Sequence, residues 1–144
     1  MSQKEINSIL ENYRIVAVVG LSSDPTKASY RVAAYLQSAG YRIIPVNPFV
    51  DEVLGEKSYK SLLHVPEAIE IVDIFRPSDQ VSAVVEEAIE LMNRLGTPKV
   101  IWMQSGIVNE EAARRAKAAG FKVVMDRCMM MEHKRVSMEN VLDS

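Results

Sequence analysis

Five short apolar runs rich in branched residues punctuate the chain: IVAVVG from Ile15, YRIIPVNP from Tyr41, EIVDIF from Glu70, KVIWMQ from Lys99 and KVVMD from Lys122. Runs of this length with little polar alternation predict strands buried on both faces. Between them the periodicity turns helical. SYRVAAYLQSAG sets Val32, Ala33, Leu36 and Ala39 on one stripe and ends at Gly40; SDQVSAVVEEAIELMNRLG opens on Ser78, a predicted N-cap, and ends at Gly96. NEEAARRAKAAG opens on Asn109, and Ile6, Ile9 and Leu10 predict a short leading helix. Strands alternating with helices predict a three-layer α/β fold around a five-stranded, mainly parallel sheet. The less regular stretch from Pro48 to Glu70 carries two prolines and a glycine and is read as a long connection with one helical turn at SYKSLL.

At 144 residues and 48% hydrophobic, the chain fits a single domain, with a core expected over about residues 14–135. A formal net charge of −2 gives no whole-molecule field toward nucleic acid or anionic lipid, so neither is expected as a partner. No run of about 18 apolar residues predicts a membrane span, and the broken, charged opening MSQKEINSILENYR is unlike a signal peptide. One cysteine and two histidines supply neither an internal disulfide nor a structural zinc set, and a cytoplasmic protein without a metal is expected.

In such sheets a ligand lies beyond the carboxyl ends of the strands. The first turn, GLSSDPTKASY, is the candidate for phosphate. A dinucleotide fingerprint beginning at Gly20 requires glycine where the chain has Ser22 and Pro25, and a phosphate-binding P-loop fails on the order Pro25, Thr26, Lys27. What remains suits a diphosphate: amides at a helix N-terminus, hydroxyls of Ser22, Ser23, Thr26 and Ser29, and the Lys27 ammonium. Alternatively, Thr26 or Ser29 caps the helix and Lys27 is solvated. After the second strand, Asn47 stands where a nicotinamide-dinucleotide protein carries an acidic residue; Asn47 and Pro48 equally form an ordinary turn.

Taken together, VAVVGLSSDPTKASYRVAAYL, GYRIIPVNP, VDIFRPSDQV, WMQSGIVNEEAARRAKAAG and VVMDRCMMMEH resemble the small stand-alone CoA-binding domain proteins, related in fold to the CoA-binding domain of the succinyl-CoA synthetase α subunit. The resemblance implies a Rossmann-like fold binding coenzyme A across the carboxyl edge of the sheet. By matching motif it implies that Gly20, Ser22, Lys27, Ser29 and Tyr30 form the diphosphate turn and that Asn47 and Pro48 lie against the adenosine ribose. Arg76 and Ser78 would border the adenine or pantetheine side, and Gln104 to Gly106 the far wall of the groove. Related sequences often carry a lysine after VNP for the CoA 3′-phosphate; here that residue is Phe49, so either the cation comes from Arg42, Lys27 or Arg31 or the preference for CoA over dephospho-CoA is weak. Synthetase activity does not transfer, because the α subunit's second domain, with its phosphorylated histidine, has no counterpart in this chain.

Cys128, after the fifth strand, is a candidate for a mixed disulfide with CoA, against the alternative of a small buried hydrophobe. CMMM suits core packing, a pantetheine-lining surface or a dimer contact, and His64 and His133 are read as a surface residue and a local structural contact. No nucleophile, base and orienting group are grouped in the sequence. The favoured function is therefore a CoA or acyl-CoA binding module without catalytic residues, acting as carrier, sensor or partner of an acyl-CoA enzyme, with self-association open. The alternative is an enzyme acting on an acyl-CoA or an NAD(P)-dependent oxidoreductase.

Overall fold

The five branched runs pair into one parallel sheet. The computed structural model describes residues 1–143, and the chain runs α1 (Gln3–Asn12), β1 (Ile15–Val19), α2 (Ala28–Ser38), β2 (Arg42–Val46), β3 (Glu52–Val53), β4 (Glu56–Lys57), β5 (Ile71–Ile74), α3 (Val81–Leu95), β6 (Val100–Met103), α4 (Glu110–Ala118), β7 (Lys122–Val124) and α5 (Met129–Asp143). The sheet order is β2-β1-β5-β6-β7 with every pairing parallel, while β3 and β4 form a separate antiparallel hairpin. This is the expected Rossmann-like architecture, with no described helix long and apolar enough to cross a membrane.

Because side chains alternate along a strand, each strand serves two cores. Ala17, Val19, Val72, Ile74, Ile101 and Met103 pack on one face under α3 and α4. Val16, Val18, Ile71, Val100 and Trp102 pack on the other with α1, α2 and α5. The alternation also sends Asp73 to the same face as Ile71, where it is fully buried and both carboxylate oxygens are without a hydrogen-bond partner. Burial pushes its carboxyl well above the ordinary carboxylate range.

β2 is an edge strand, yet it contains Pro45, which has no N–H to donate. The Pro45 carbonyl accepts from Tyr59 N–H at 3.0 Å, and Asn47 N–H donates to Tyr59 O at 2.9 Å. The missing donor of Pro45 therefore points away from β1, where the ladder does not need it.

One expectation is corrected, and the structure adds detail to two others. Ser78 does not cap α3: it opens a 3₁₀ turn over Ser78–Gln80, after which α3 begins at Val81 without a side-chain cap. The long connection after β2 also holds the β3–β4 hairpin, whose turn residues Leu54 and Gly55 have φ of 54° and 75°. Its helical turn spans Leu62–His64, sharing the last two residues of the expected segment and running one residue past it. CMMM leads into α5 and packs largely on the core: Met129 is fully buried, Met130 packs partly buried against the core and Met131 is 54% exposed.

Candidate functional site: the carboxyl edge of the sheet

β2 lies to one side of β1, while β5, β6 and β7 follow on the other. The helices after β1 and β5 depart to opposite faces, so a crevice opens between the carboxyl ends of these two strands. A cleft of about 390 Å³ lies there. Its floor is apolar, from Val19, Val46 and Val84, and its rim carries Gly20, Pro48 and Arg76 together with Lys60 and Glu87. Three predicted residues thus share one cleft with two that the sequence did not single out.

The first turn is tied into the sheet. Gly20 N–H donates to Val46 O at 2.9 Å, and Phe75 N–H donates to Val19 O at 2.8 Å. Gly20 has φ +88° and its α-carbon faces the Phe75 carbonyl. The glycine is therefore required by the approach of two backbones, and its own amide is already committed.

Beyond it, the side chains that commonly cap a helix are diverted into the turn. Asp24 Oδ1 accepts from Thr26 N–H at 2.9 Å and from its hydroxyl at 2.8 Å, and these bonds, with a smaller contribution from Lys27, lower the Asp24 pKa. The buried Ser29 hydroxyl accepts from Ser22 N–H at 3.0 Å, and Ser22 Oγ accepts from Asp24 N–H at 3.0 Å. Neither Thr26 nor Ser29 caps α2: the N-cap position falls to Lys27, which is exposed and makes no side-chain capping bond. The amides of Ala28, Ser29 and Tyr30, first in the helix, have no carbonyl within α2 to meet. They form an uncapped, electropositive end.

The other predicted residues hold the neighbouring turns in place. Asn47 Nδ2 donates to Leu21 O at 2.9 Å and its Oδ1 accepts from Phe49 N–H at 2.9 Å, so Asn47 stitches the β2 turn to the β1 turn. Ser78 Oγ accepts from Val108 N–H at 3.1 Å. Gly106 N–H donates to Asp126 Oδ1 at 2.6 Å, and the buried Gln104 accepts from Met129 N–H, the first amide of α5, at 3.1 Å. Ser23 is exposed on the first turn, and Tyr30 and Cys128 are half-buried against the core between the sheet and the α1, α2 and α5 helices.

Of the cations considered for a ribose phosphate, Arg42 is removed by the topology. It begins β2, at the opposite end of the strands, where its guanidinium is held by Glu56 and Glu67, bonds that raise its pKa. Arg31 is tied to the Thr26 carbonyl. Lys60, by contrast, lies on the cleft rim. Nearby, burial pushes the Glu87 carboxyl up, against the Leu62 amide and Ser61 hydroxyl, which favour its charged form, and one of its oxygens is buried without a partner. Nothing in the local sequence marked either residue, because only the fold brings residues 60 and 87 to Gly20.

Both histidines are bonded to hydroxyls rather than grouped with a nucleophile. His64 Nδ1 pairs with the Ser61 hydroxyl at 3.1 Å and His133 Nδ1 with the Tyr35 hydroxyl at 2.8 Å. Burial, and then Arg14, lower the His133 pKa.

Residues 14–134 match the model of a protein family described as CoA binding domain. The chain belongs to this family. As a CoA binding domain protein it is 44% identical to the uncharacterized protein YneT of Bacillus subtilis (strain 168) over 132 residues, which cover 92% of this chain and 94% of YneT. It is 33% identical over 109 residues to the II subunit alpha of an ADP-forming acetate–CoA ligase from Pyrococcus furiosus; the match covers 74% of this chain but only 23% of that subunit. Among solved structures, a hypothetical protein from Pyrococcus horikoshii OT3 superposes with a TM-score of 0.88 at 40% identity, over 94% of this chain and 92% of that one.

Proposed function

We propose that the protein is a coenzyme A binding module whose diphosphate site is the uncapped N-terminus of α2. The observation that carries this reading is that uncapped helix end, which follows β1 at the carboxyl edge of the sheet in a CoA binding domain chain, with a cleft at the same edge. The amides of Ala28, Ser29 and Tyr30 would receive the diphosphate, with Lys27 and the exposed Ser23 supplying further donors. Gly20 lets the turn pass against the Phe75 carbonyl, Ser22 holds the turn, and Asn47 would set Pro48 against the ribose. Lys60 would face the 3′-phosphate in place of the lysine that Phe49 replaces. Arg76 borders the same cleft, whose apolar floor suits the adenine face. Ser78, Gln104 and Gly106 shape the wall along which pantetheine would run.

A binding or regulatory role is favoured over catalysis because the polar groups at this edge are occupied in holding backbone turns. Cys128 adds a redox form: its thiolate would attack CoA disulfide, forming a protein–CoA mixed disulfide and releasing one CoA thiolate. Intact mass after incubation with CoA disulfide should gain one CoA on the wild type and none on Cys128→Ser. Equal addition to both would remove this form.

Calorimetric titration with CoA, dephospho-CoA, NAD and NADP in parallel tests the main reading. Binding of CoA and, more weakly, dephospho-CoA is expected. Binding of NAD or NADP without CoA would overturn it and point to a redox enzyme.

A further inference from the structure

We infer that Glu87 selects the base of the ligand, its carboxyl accepting a hydrogen bond from the exocyclic amine of adenine. This rests on the coenzyme A reading above and adds to it the residue that tells one purine from another. Among the described residues, the buried side-chain oxygens without a hydrogen-bond partner belong to Asp73 and Glu87. Asp73 is sealed in the core, whereas Glu87 lines the cleft at the carboxyl edge of the sheet, beside Ser61 and Leu62. An acceptor shut away from water and left unpaired is unfavourable, and a donor carried by a ligand relieves that cost.

The donors that the protein itself brings to the cleft do not pair that oxygen. Arg76 is turned to Gln80 Oε1, and none of the ion pairs among the described residues includes Glu87. The Ser61 hydroxyl and Leu62 amide favour the charged carboxyl but leave this oxygen unbonded. The floor beside it is apolar, from Val19, Val46 and Val84. A ligand group that lays a flat apolar face on such a floor and presents one donor at its edge is an aminopurine. In coenzyme A only the adenine has this form, since the hydroxyls and the pantetheine amides belong to parts without a flat apolar face. A carboxyl keeps an accepting oxygen whether or not it is protonated, so the contact survives either charge state. A base with a carbonyl in place of the amine would set acceptor against acceptor and leave the Glu87 oxygen unpaired, which is how a site built for a donor rejects an analogue lacking it.

The test is calorimetric titration of the whole chain with coenzyme A and with its hypoxanthine analogue, which carries that carbonyl. The wild type should bind coenzyme A at least about tenfold more tightly than the analogue. Glu87→Gln, whose amide can donate to the carbonyl, should narrow or reverse the preference, and Glu87→Ala should bind both alike. Thermal melts without ligand check that the variants are folded, and the wild-type comparison stands without them. Equal binding of the two ligands by the wild type overturns the inference while leaving the coenzyme A module in place. So does a preference that persists undiminished in folded Glu87→Gln or Glu87→Ala. A wild type that binds neither ligand removes the coenzyme A reading itself, and this inference with it.

Discussion

The Phe75 backbone carbonyl stands against the α-carbon of Gly20, so close that a β-carbon there would overlap it. Gly20→Ala therefore meets two penalties. The left-handed backbone costs about 1–2 kcal/mol for an L-residue, and forcing β1 and β5 apart adds about 1–3 kcal/mol of overpacking. Urea denaturation should show a correspondingly lower midpoint with little change in slope.

Lys27 and Ser29 separate ligand binding from turn stability. Lys27→Ala removes an exposed cation and should weaken CoA binding by on the order of 1.5–3 kcal/mol, with the thermal midpoint nearly unchanged. Ser29→Ala removes the acceptor of Ser22 N–H, and should lower stability by about 1–3 kcal/mol before any ligand is added. Calorimetry and thermal melts on the two variants distinguish these effects. Unchanged CoA affinity in Lys27→Ala would mean the lysine is solvated.

Lys60 is expected to read the 3′-phosphate. Comparing CoA with dephospho-CoA on the wild type and on Lys60→Ala isolates that contact: the wild type should prefer CoA, and the variant should bind both alike. A preference that survives the substitution would assign the phosphate to another cation.

Asp73 makes stability depend on pH in the direction opposite to an ion-paired carboxylate. Its folded pKa is raised by burial, so the folded state holds a proton that the unfolded state has lost. Its favourable contribution is complete below the unfolded pKa of about 3.9 and declines as pH rises toward the folded value, by about 1.4 kcal/mol per pH unit. Asp73→Asn cannot ionise. Denaturation at a series of pH values should show its stability gaining on the wild type with each step upward, and parallel curves would show that Asp73 is not protonated in the fold.

The sheet was legible because each strand is a short branched run and each crossover helix keeps one apolar stripe. α5 was not, for a physical reason: Met129 and Val136 face inward while Met131, Met138 and Leu142 face outward, so no single stripe stands out. The β3–β4 hairpin was hidden by Leu54, which occupies a left-handed turn position where Asn or Asp is the usual signal. At the site, the turns after each strand could be named from the sequence, but Lys60 and Glu87 could not, being distant in the chain from Gly20. Ser78 was misread because a hydroxyl just before a helix looks like a cap whether it bonds its own helix or, as here, the Val108 amide across the edge.

Pro45 has a consequence for the molecule in concentrated solution. A sheet ending in a bare row of donors and acceptors invites the strands of other molecules to add to it. Here one edge lacks a donor at Pro45 and has neighbouring groups occupied by Tyr59, and the other edge is the three-residue strand β7. Growth by strand addition is blocked at the first and has little length to grip at the second, so the molecule can be crowded by its own copies without its sheet seeding a larger one.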